Sequence, residues 1–311
     1  MKPRNAELLI VLATVFWGCS YLFMKIGLES IAAFNLIALR FGLAFLLTSL
    51  LFWKSLRKVD WRTIKYSAML GFLLFAVFAC IMFGLKTTTT SNAGFLVSMT
   101  VIFVPLLSVI LFKQKLAPSM KVSVLLALVG IGLLTLKMPF SIGGGDVLCM
   151  LSAVFYALYI ILTNSAAKAS NTLNLGILQL GFAGGFGLIG MLLFETPTLP
   201  QTPASWGAVL ALSLLCSGFG FIIQPIAQKY TTPTRTGLIF SLEPVFAAAV
   251  GFWFAHEILP PLGYVGAAFV LLAVVASEIK WKRRDVAAFP VKAKDKVLGR
   301  ARENEALQQI L

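Results

Sequence analysis

Charge is what this chain has least of. Only 12% of its 311 residues are Asp, Glu, Lys or Arg, whereas 59% are apolar and the mean hydropathy is +0.91. A soluble domain carries about a quarter charged residues, so a water-soluble globular fold is excluded and an integral membrane protein remains. Histidine occurs once, as His256, and cysteine four times, singly, at Cys19, Cys80, Cys149 and Cys216. That leaves no group at metal-ligand spacing, and neither a metal nor a cofactor is expected. His256-Glu257 begins like a zinc-protease helix, but Pro260 stands where the second histidine belongs. Gly143-Gly144-Gly145-Asp146 lacks the order of a nucleotide-binding loop and reads as a tight turn, with Asp146 capping the helix that follows. A cleavable signal peptide is not expected either. The apolar run behind Lys2 and Arg4 continues through Trp17-Gly18 to Lys25 without a small-residue cleavage site.

What is abundant is uncharged sequence long enough to cross about 30 Å of hydrocarbon. Ten such spans are expected, at 8–26, 31–53, 66–85, 92–112, 119–137, 147–167, 173–194, 206–228, 235–255 and 260–279. On alternate sides of these spans Lys and Arg divide 13 to 3, with Arg40 inside a span and nine more in the tail after residue 279. The excess predicts a multi-pass protein of the cell (inner) membrane with both termini in the cytoplasm. The net charge of +14 is thus a topology signal, and nucleic acid is not an expected partner. The lipid bilayer is.

The spans fall into two similar sets. At an offset of 143, Thr88-Thr89 matches Thr231-Thr232, Gly94 matches Gly237, Ser98 matches Ser241 and Pro118 matches Pro261. Near the start of each set the offset is 139, pairing Phe16 with Phe155, Asn35 with Asn174, Gly42 with Gly181 and Arg40 with Gln179. The fold class expected is an all-α integral membrane protein of ten transmembrane helices in two repeats, residues 1–140 and 141–279, followed by a basic cytoplasmic tail over 280–311. Five spans per repeat is an odd number, so the second copy is inverted relative to the first.

Within so apolar a chain the polar exceptions carry the information. Glu243 lies near the middle of an apolar segment, followed by Pro244. A carboxylate at that depth costs about 2.5–3.5 kcal/mol unless it faces protein or water. Arg40 is equally deep, and either balances an anionic group or Glu243, or clamps freed backbone carbonyls. Pro105, Pro225 and Pro244 predict kinks in spans 4, 8 and 9, and the glycines of span 7 predict close helix packing. A shared cavity is expected to be lined by Trp17, Tyr21, Asn92, Ser98, Tyr156, Tyr159, Gln179, Gln224 and Ser241. Glu243 is either a proton-coupling group or a structural acceptor. These features favour a monomeric carrier of a small organic solute that exposes its site to each side in turn, with protons as a candidate coupling ion. A channel or a membrane-embedded enzyme is the alternative, and the chain lacks the gathered nucleophiles or metal ligands an enzyme needs.

Trp17-Gly18, Arg40, the Gln-Lys-Tyr-Thr-Thr-Pro-Thr-Arg joint at 228–235, Ser-Leu-Glu-Pro at 241–244 and His256-Glu257 together resemble the EamA branch of the drug/metabolite transporter superfamily. The resemblance extends from about Glu7 to Ile279. It implies a ten-helix inverted-repeat transporter, often an exporter of amino acids or other small metabolites. The first half departs from the pattern, with Gln114 where an acid equivalent to Glu257 is often found and Thr100 in the place of Glu243.

Overall fold

A computed structural model describes residues 1–88, 90–112, 117–135, 143–255 and 261–278. Gln114, His256, Glu257, Thr89, the side chain of Asn92 and the basic tail over 280–311 lie outside the described residues.

Every regular element among the described residues is helical. The first three are α1 (Pro3–Leu28), α2 (Ala33–Leu51) and a single turn, α3 (Trp53–Leu56). Then come α4 (Trp61–Gly84), the broken pair α5 (Thr90–Ser98) and α6 (Thr100–Phe112), and α7 (Pro118–Thr135). The second half opens with α8 (Gly144–Ala169) and α9 (Thr172–Phe194). α10 (Pro203–Ala211) runs through a π-helical stretch (Leu212–Phe219) into α11 (Gly220–Gln228). A second broken pair, α12 (Pro233–Phe240) and α13 (Glu243–Ala255), precedes α14 (Pro261–Glu278). Among the described residues seven helices are long and apolar enough to cross a membrane, and two shorter apolar ones lie at Pro118–Leu133 and Pro261–Ala276. The molecule is therefore a multi-pass helical membrane protein.

Helix starts follow local chemistry. Asp60, Asn171, Thr202 and Thr232 each accept a backbone N–H from the first turn of α4, α9, α10 and α12. Proline opens α7 and α14 and sits in the first turn of α1, α10 and α12, where its missing N–H costs nothing.

The interruptions differ from the expected kinks. In span 4 the helix breaks at Met99, six residues before Pro105, which sits inside α6. There the Thr100 hydroxyl donates to Val97 O at 2.6 Å and Ile102 N–H bonds Met99 O at 2.8 Å, tightening the turn. The second pair breaks alike: the Ser241 hydroxyl donates to Leu238 O at 2.5 Å, and Leu242 N–H bonds Ile239 O at 3.0 Å. A hydroxyl that captures a carbonyl three residues back competes with the helical ladder. Pro244 consequently lies in the first turn of α13, where it breaks no helical bond. In span 8 the irregularity is the π-helical stretch, ahead of Pro225.

α2 packs on α9, α7 on α14, α4 on α8 and α9, and α1 on α10, α11 and α13. Glycine sets the α2–α9 distance. A Cβ at Gly184 would meet Gly42 N at 2.8 Å, one at Gly187 Ala38 N at 2.9 Å, and one at Gly190 the Phe34 ring at 2.9 Å. Numbers fall along α9 as they rise along α2, so the two helices are antiparallel. In lipid no hydrophobic force joins apolar helices, and such backbone approach supplies the dispersion contact instead. We expect Gly184→Val to cost about 1–3 kcal/mol by overpacking. The measurement is the apparent melting temperature in detergent, which should fall by several degrees.

The ends of this pair are tied crosswise. Glu195, just past α9, accepts Phe34 N–H at 3.1 Å and Asn35 N–H at 2.9 Å, placing a carboxylate on the N-terminus of α2. Asn35 Nδ2 donates to Thr196 O at 2.9 Å, while its repeat counterpart Asn174 donates to Ser55 O at 3.1 Å in the segment after α2.

Candidate functional site

The half-helix α13 begins at Glu243, which puts a carboxylate at a helix N-terminus inside the bundle. Around it two small cavities meet. The first, ≈ 20 Å³, is walled by Trp17 and Tyr21 of α1, Phe78 of α4, Tyr156 of α8, Phe221 of α11 and Glu243. The second, ≈ 10 Å³, lies between Ser98, Thr100, Tyr156, Gly237, Ser241 and Glu243. Tyr156 and Glu243 belong to both. Either volume suits about one water, whereas sites for organic ligands run to about 300 Å³ or more. This conformation is closed.

An aromatic cluster forms the walls. The Trp17 ring lies 4.9 Å from Phe240 edge-on and 5.0 Å from Phe221, and Tyr156 stacks on Phe240 at 5.6 Å with 14° between planes. Trp17 Nε1 donates to Cys216 O at 2.8 Å, a carbonyl within the π-helical stretch. Gly220 makes that approach possible, since a Cβ there would sit 2.5 Å from Trp17 Nε1. Gly18 does the same for α13: a Cβ would meet Ala247 N at 2.9 Å. The Trp-Gly pair in α1 thus brings two backbones against one helix. Tyr21 and Glu243 both line the first cavity, one from α1 and the other from α13.

Arg40 is completely buried. Its Nε donates to Ser217 Oγ at 2.7 Å, and its Cζ lies 4.2 Å from the centre of the Phe78 ring. Nη1 and Nη2 have no hydrogen-bond partner among the described residues. The acceptor is thus a side-chain hydroxyl of the π-helical stretch, not a freed carbonyl. Phe78 separates the guanidinium from the cavity, while Glu243, Tyr21 and Tyr156 lie within its electrostatic reach.

Of the expected lining residues, Trp17, Tyr21, Tyr156, Ser98 and Ser241 come together around Glu243. Tyr159, Gln179 and Gln224 line neither cavity in this conformation. They bond one another instead: the Tyr159 hydroxyl lies 3.1 Å from Gln179 Oε1 and 3.2 Å from Gln224 Oε1, and Gln179 Nε2 donates to Phe221 O at 2.7 Å. This knot joins α8, α9 and α11. Phe78, Phe221, Phe240 and Ser217 went unnoticed in the sequence, since phenylalanine is common there and one serine carries no positional signal. Thr100, the repeat counterpart of Glu243, borders the second cavity together with it.

Two contacts at the helix ends complete the setting. Thr88, after α4, donates its hydroxyl to Asp146 in the first turn of α8. Thr231, after α11, lies 3.4 Å from Glu7 Oε1 in α1, and Arg235 Nη1 pairs with the same oxygen at 2.7 Å. Asn164, 18 residues beyond Asp146 along α8, or about 27 Å at 1.5 Å per residue, donates to Thr231 O at 2.8 Å. The two contacts therefore lie towards opposite ends of α8.

Comparison with known proteins agrees with this architecture. The profile of the EamA-like transporter family matches residues 4–136 and again residues 143–277. An uncharacterized transporter of Archaeoglobus fulgidus is 30% identical over 285 residues, 90% of this chain and 88% of its own. The uncharacterized transporter YyaM of Bacillus subtilis is 25% identical over 89% of this chain and 94% of its own. A solved crystal structure superposes with a TM-score of 0.75 over 89% of this chain and 97% of its own, at 18% identity, and so shares the fold. The chain belongs to the EamA-like transporter family, within the drug/metabolite transporter superfamily, and is a multi-pass membrane transporter.

Proposed function

We propose that the protein is a secondary transporter that carries a small organic metabolite, an amino acid or related compound, across the cell membrane by alternating access, in the direction of export. Ten spans in two inverted repeats, 1–140 and 141–279, with both termini and the basic tail cytoplasmic, form the scaffold of this reading. Trp17, Tyr21, Asn92, Ser98, Tyr156, Tyr159, Gln179, Gln224 and Ser241 are its substrate-binding candidates, with Arg40 and Glu243 as its charges. The protein works as a monomer, with protons as the coupling ion.

The observation that carries the proposal is the exchange symmetry of the packing. Swapping α1 with α8, α2 with α9, α4 with α10–α11, α5–α6 with α12–α13 and α7 with α14 turns the contact of α4 on α8 into that of α11 on α1. It likewise turns α6 on α8 into α13 on α1, and leaves α2–α9 and α7–α14 unchanged. The end contacts obey the same rule: Thr88 and Thr231 are counterparts at offset 143, and Asp146 and Glu7 at offset 139. A carrier needs two closures of comparable strength, one per face, so that neither outward nor inward opening dominates. Repeat-equivalent hydroxyl–carboxylate contacts supply such a pair, and the closed cavity between them has to widen before a solute fits.

Two measurements test this reading. Proteoliposomes offered labelled amino acids, nucleosides and sugars in turn should show saturable uptake of one class; conductance without saturation would instead indicate a channel. In a background free of native cysteine, Ser20→Cys should report opening through labelling by an impermeant maleimide. Adding Glu7→Gln should raise labelling from the face that bears Glu7, and Asp146→Asn from the other face. A hydrogen bond to a charged group is worth about 1.5–3 kcal/mol, so each shift should be at least roughly tenfold, with the double variant near the parent. Equal labelling changes from both faces would refute the alternating assignment.

A further inference from the structure

A larger cavity lies away from the two around Glu243, on the membrane-facing side between α2 and the π-helical stretch. It measures ≈ 310 Å³ and runs from Ala44 and Leu47 down to Leu51 and Phe52, against Leu214, Gly218 and Ile222. Its two hydroxyls are already spent: Thr48 donates to Ala44 O at 2.6 Å and Ser213 to Val209 O at 2.7 Å. What remains exposed is hydrocarbon. The π-helical turn widens the helix here, and Gly218 leaves the floor without a side chain, its nearest side-chain neighbour being Thr48 Cγ2 at 3.7 Å from a built Cβ.

The lower end of the groove runs directly into a cationic cluster. Leu51 and Phe52 are followed by Trp53 and Lys54 of α3, then Arg57 and Lys58, with Arg62 and Lys65 in the first turns of α4. All five cations are exposed. Arg57 lies over the Trp53 ring at 4.0 Å, Lys65 near Trp61 at 5.7 Å and Arg62 near Tyr66 at 5.9 Å. Aromatic and cationic side chains paired in this way mark the headgroup level of a bilayer. The single acid from 53 to 65, Asp60, is occupied: Thr63 N–H and Oγ1 both donate to it, which holds its carboxyl below the usual carboxylate range. The cluster is also fixed in place, because the Ser55 hydroxyl donates to Asn174 Oδ1 at 2.6 Å and ties α3 to α9.

We infer that this groove and cluster together form a site for an anionic phospholipid, with one acyl chain seated between α2 and the π-helical stretch and the headgroup phosphate held by Lys54, Arg57 and Lys58. An apolar slot with no free hydrogen-bonding group selects hydrocarbon, and an uncompensated set of cations at its mouth selects negative charge. Neither feature alone would choose this ligand. The lipid tail would rest against the stretch whose Ser217 holds Arg40, so occupancy bears on the transport site as well.

The test uses the full-length protein in a neutral detergent, titrated with dioleoylphosphatidylglycerol or dioleoylphosphatidylcholine and read by native mass spectrometry. Phosphatidylglycerol should bind at least about tenfold more tightly. The Lys54→Gln, Arg57→Gln, Lys58→Gln triple variant should bring it to the phosphatidylcholine level. Leu47→Trp, which fills the slot from the lipid side, should weaken both lipids. A phosphatidylglycerol with a diazirine in one acyl chain should label peptides spanning 44–52 and 213–223. Equal affinity of the two lipids for the wild type, wild-type affinity in the triple or the Leu47→Trp variant, or labelling confined to other regions would each overturn the proposal. Melting temperatures of both variants establish that they are folded.

Discussion

Replacing Arg40 with methionine should slow transport sharply and leave the protein at least as stable as before. The guanidinium is completely buried, makes one hydrogen bond, to Ser217, and has Phe78 against its face. Its other two nitrogens have no partner among the described residues. Taking a cation out of water costs several kcal/mol, and one hydrogen bond with a ring face worth about 2 kcal/mol does not offset that. Exchange of such a group for an apolar side chain of similar volume is neutral or stabilising by about 1–4 kcal/mol. Transport should respond oppositely. If Arg40 balances Glu243 or an anionic group of the solute in part of the cycle, its loss costs about 2–5 kcal/mol, at least roughly thirtyfold in rate. Uptake into proteoliposomes and the melting temperature of the same preparation separate the two roles. A variant that melts lower, with uptake falling only as the folded fraction falls, would identify Arg40 as a purely structural element.

Glu243→Gln should abolish the drive that a pH gradient gives to net uptake, yet spare solute exchange in the absence of a gradient. The carboxylate borders both cavities, heads a half-helix and shares the first cavity with Tyr21. Among the described residues it is the carboxyl group lining the two cavities, so under the proposed proton coupling its reversible protonation would tie proton movement to the opening of either face. Glutamine keeps the size and an acceptor oxygen but cannot exchange a proton. Exchange of solute for solute needs no net charge movement and should continue at a rate within a few-fold of the wild type, to be read as counterflow of labelled solute. Uptake by Glu243→Gln that still follows an imposed pH gradient would show that coupling lies elsewhere.

Much of the site could be read from the sequence where a residue broke a pattern. Glu243 and Arg40 stand out because charge is so scarce, and Trp17-Gly18 because a large and a small residue adjoin. Thr100 and Ser241 are harder to read: each breaks its helix through a hydroxyl bonded three residues back, whereas the prolines nearby drew the expectation of a kink. Phe221 and Phe240 are the hardest, being two of 26 phenylalanines and separable from the rest only by position in space.

The sequence by itself determined that the chain lies in a membrane, where it is apolar enough to cross, which residues are costly at depth, and that each half has a counterpart for Thr88, Asn35 and Ser98. Tertiary structure alone decided which polar groups meet. It turned Tyr159, Gln179 and Gln224 toward one another, brought Tyr21 and Tyr156 to the cavity that Glu243 lines, and set Arg40 against Ser217 and the Phe78 ring. The reason is physical. A soluble helix shows its buried face as an apolar stripe, but helices such as α2 and α9 are apolar all round, so nothing local fixes their rotation. Close backbone approach at Gly184 and Gly187, contacts made with residues far away in the chain, sets that rotation instead.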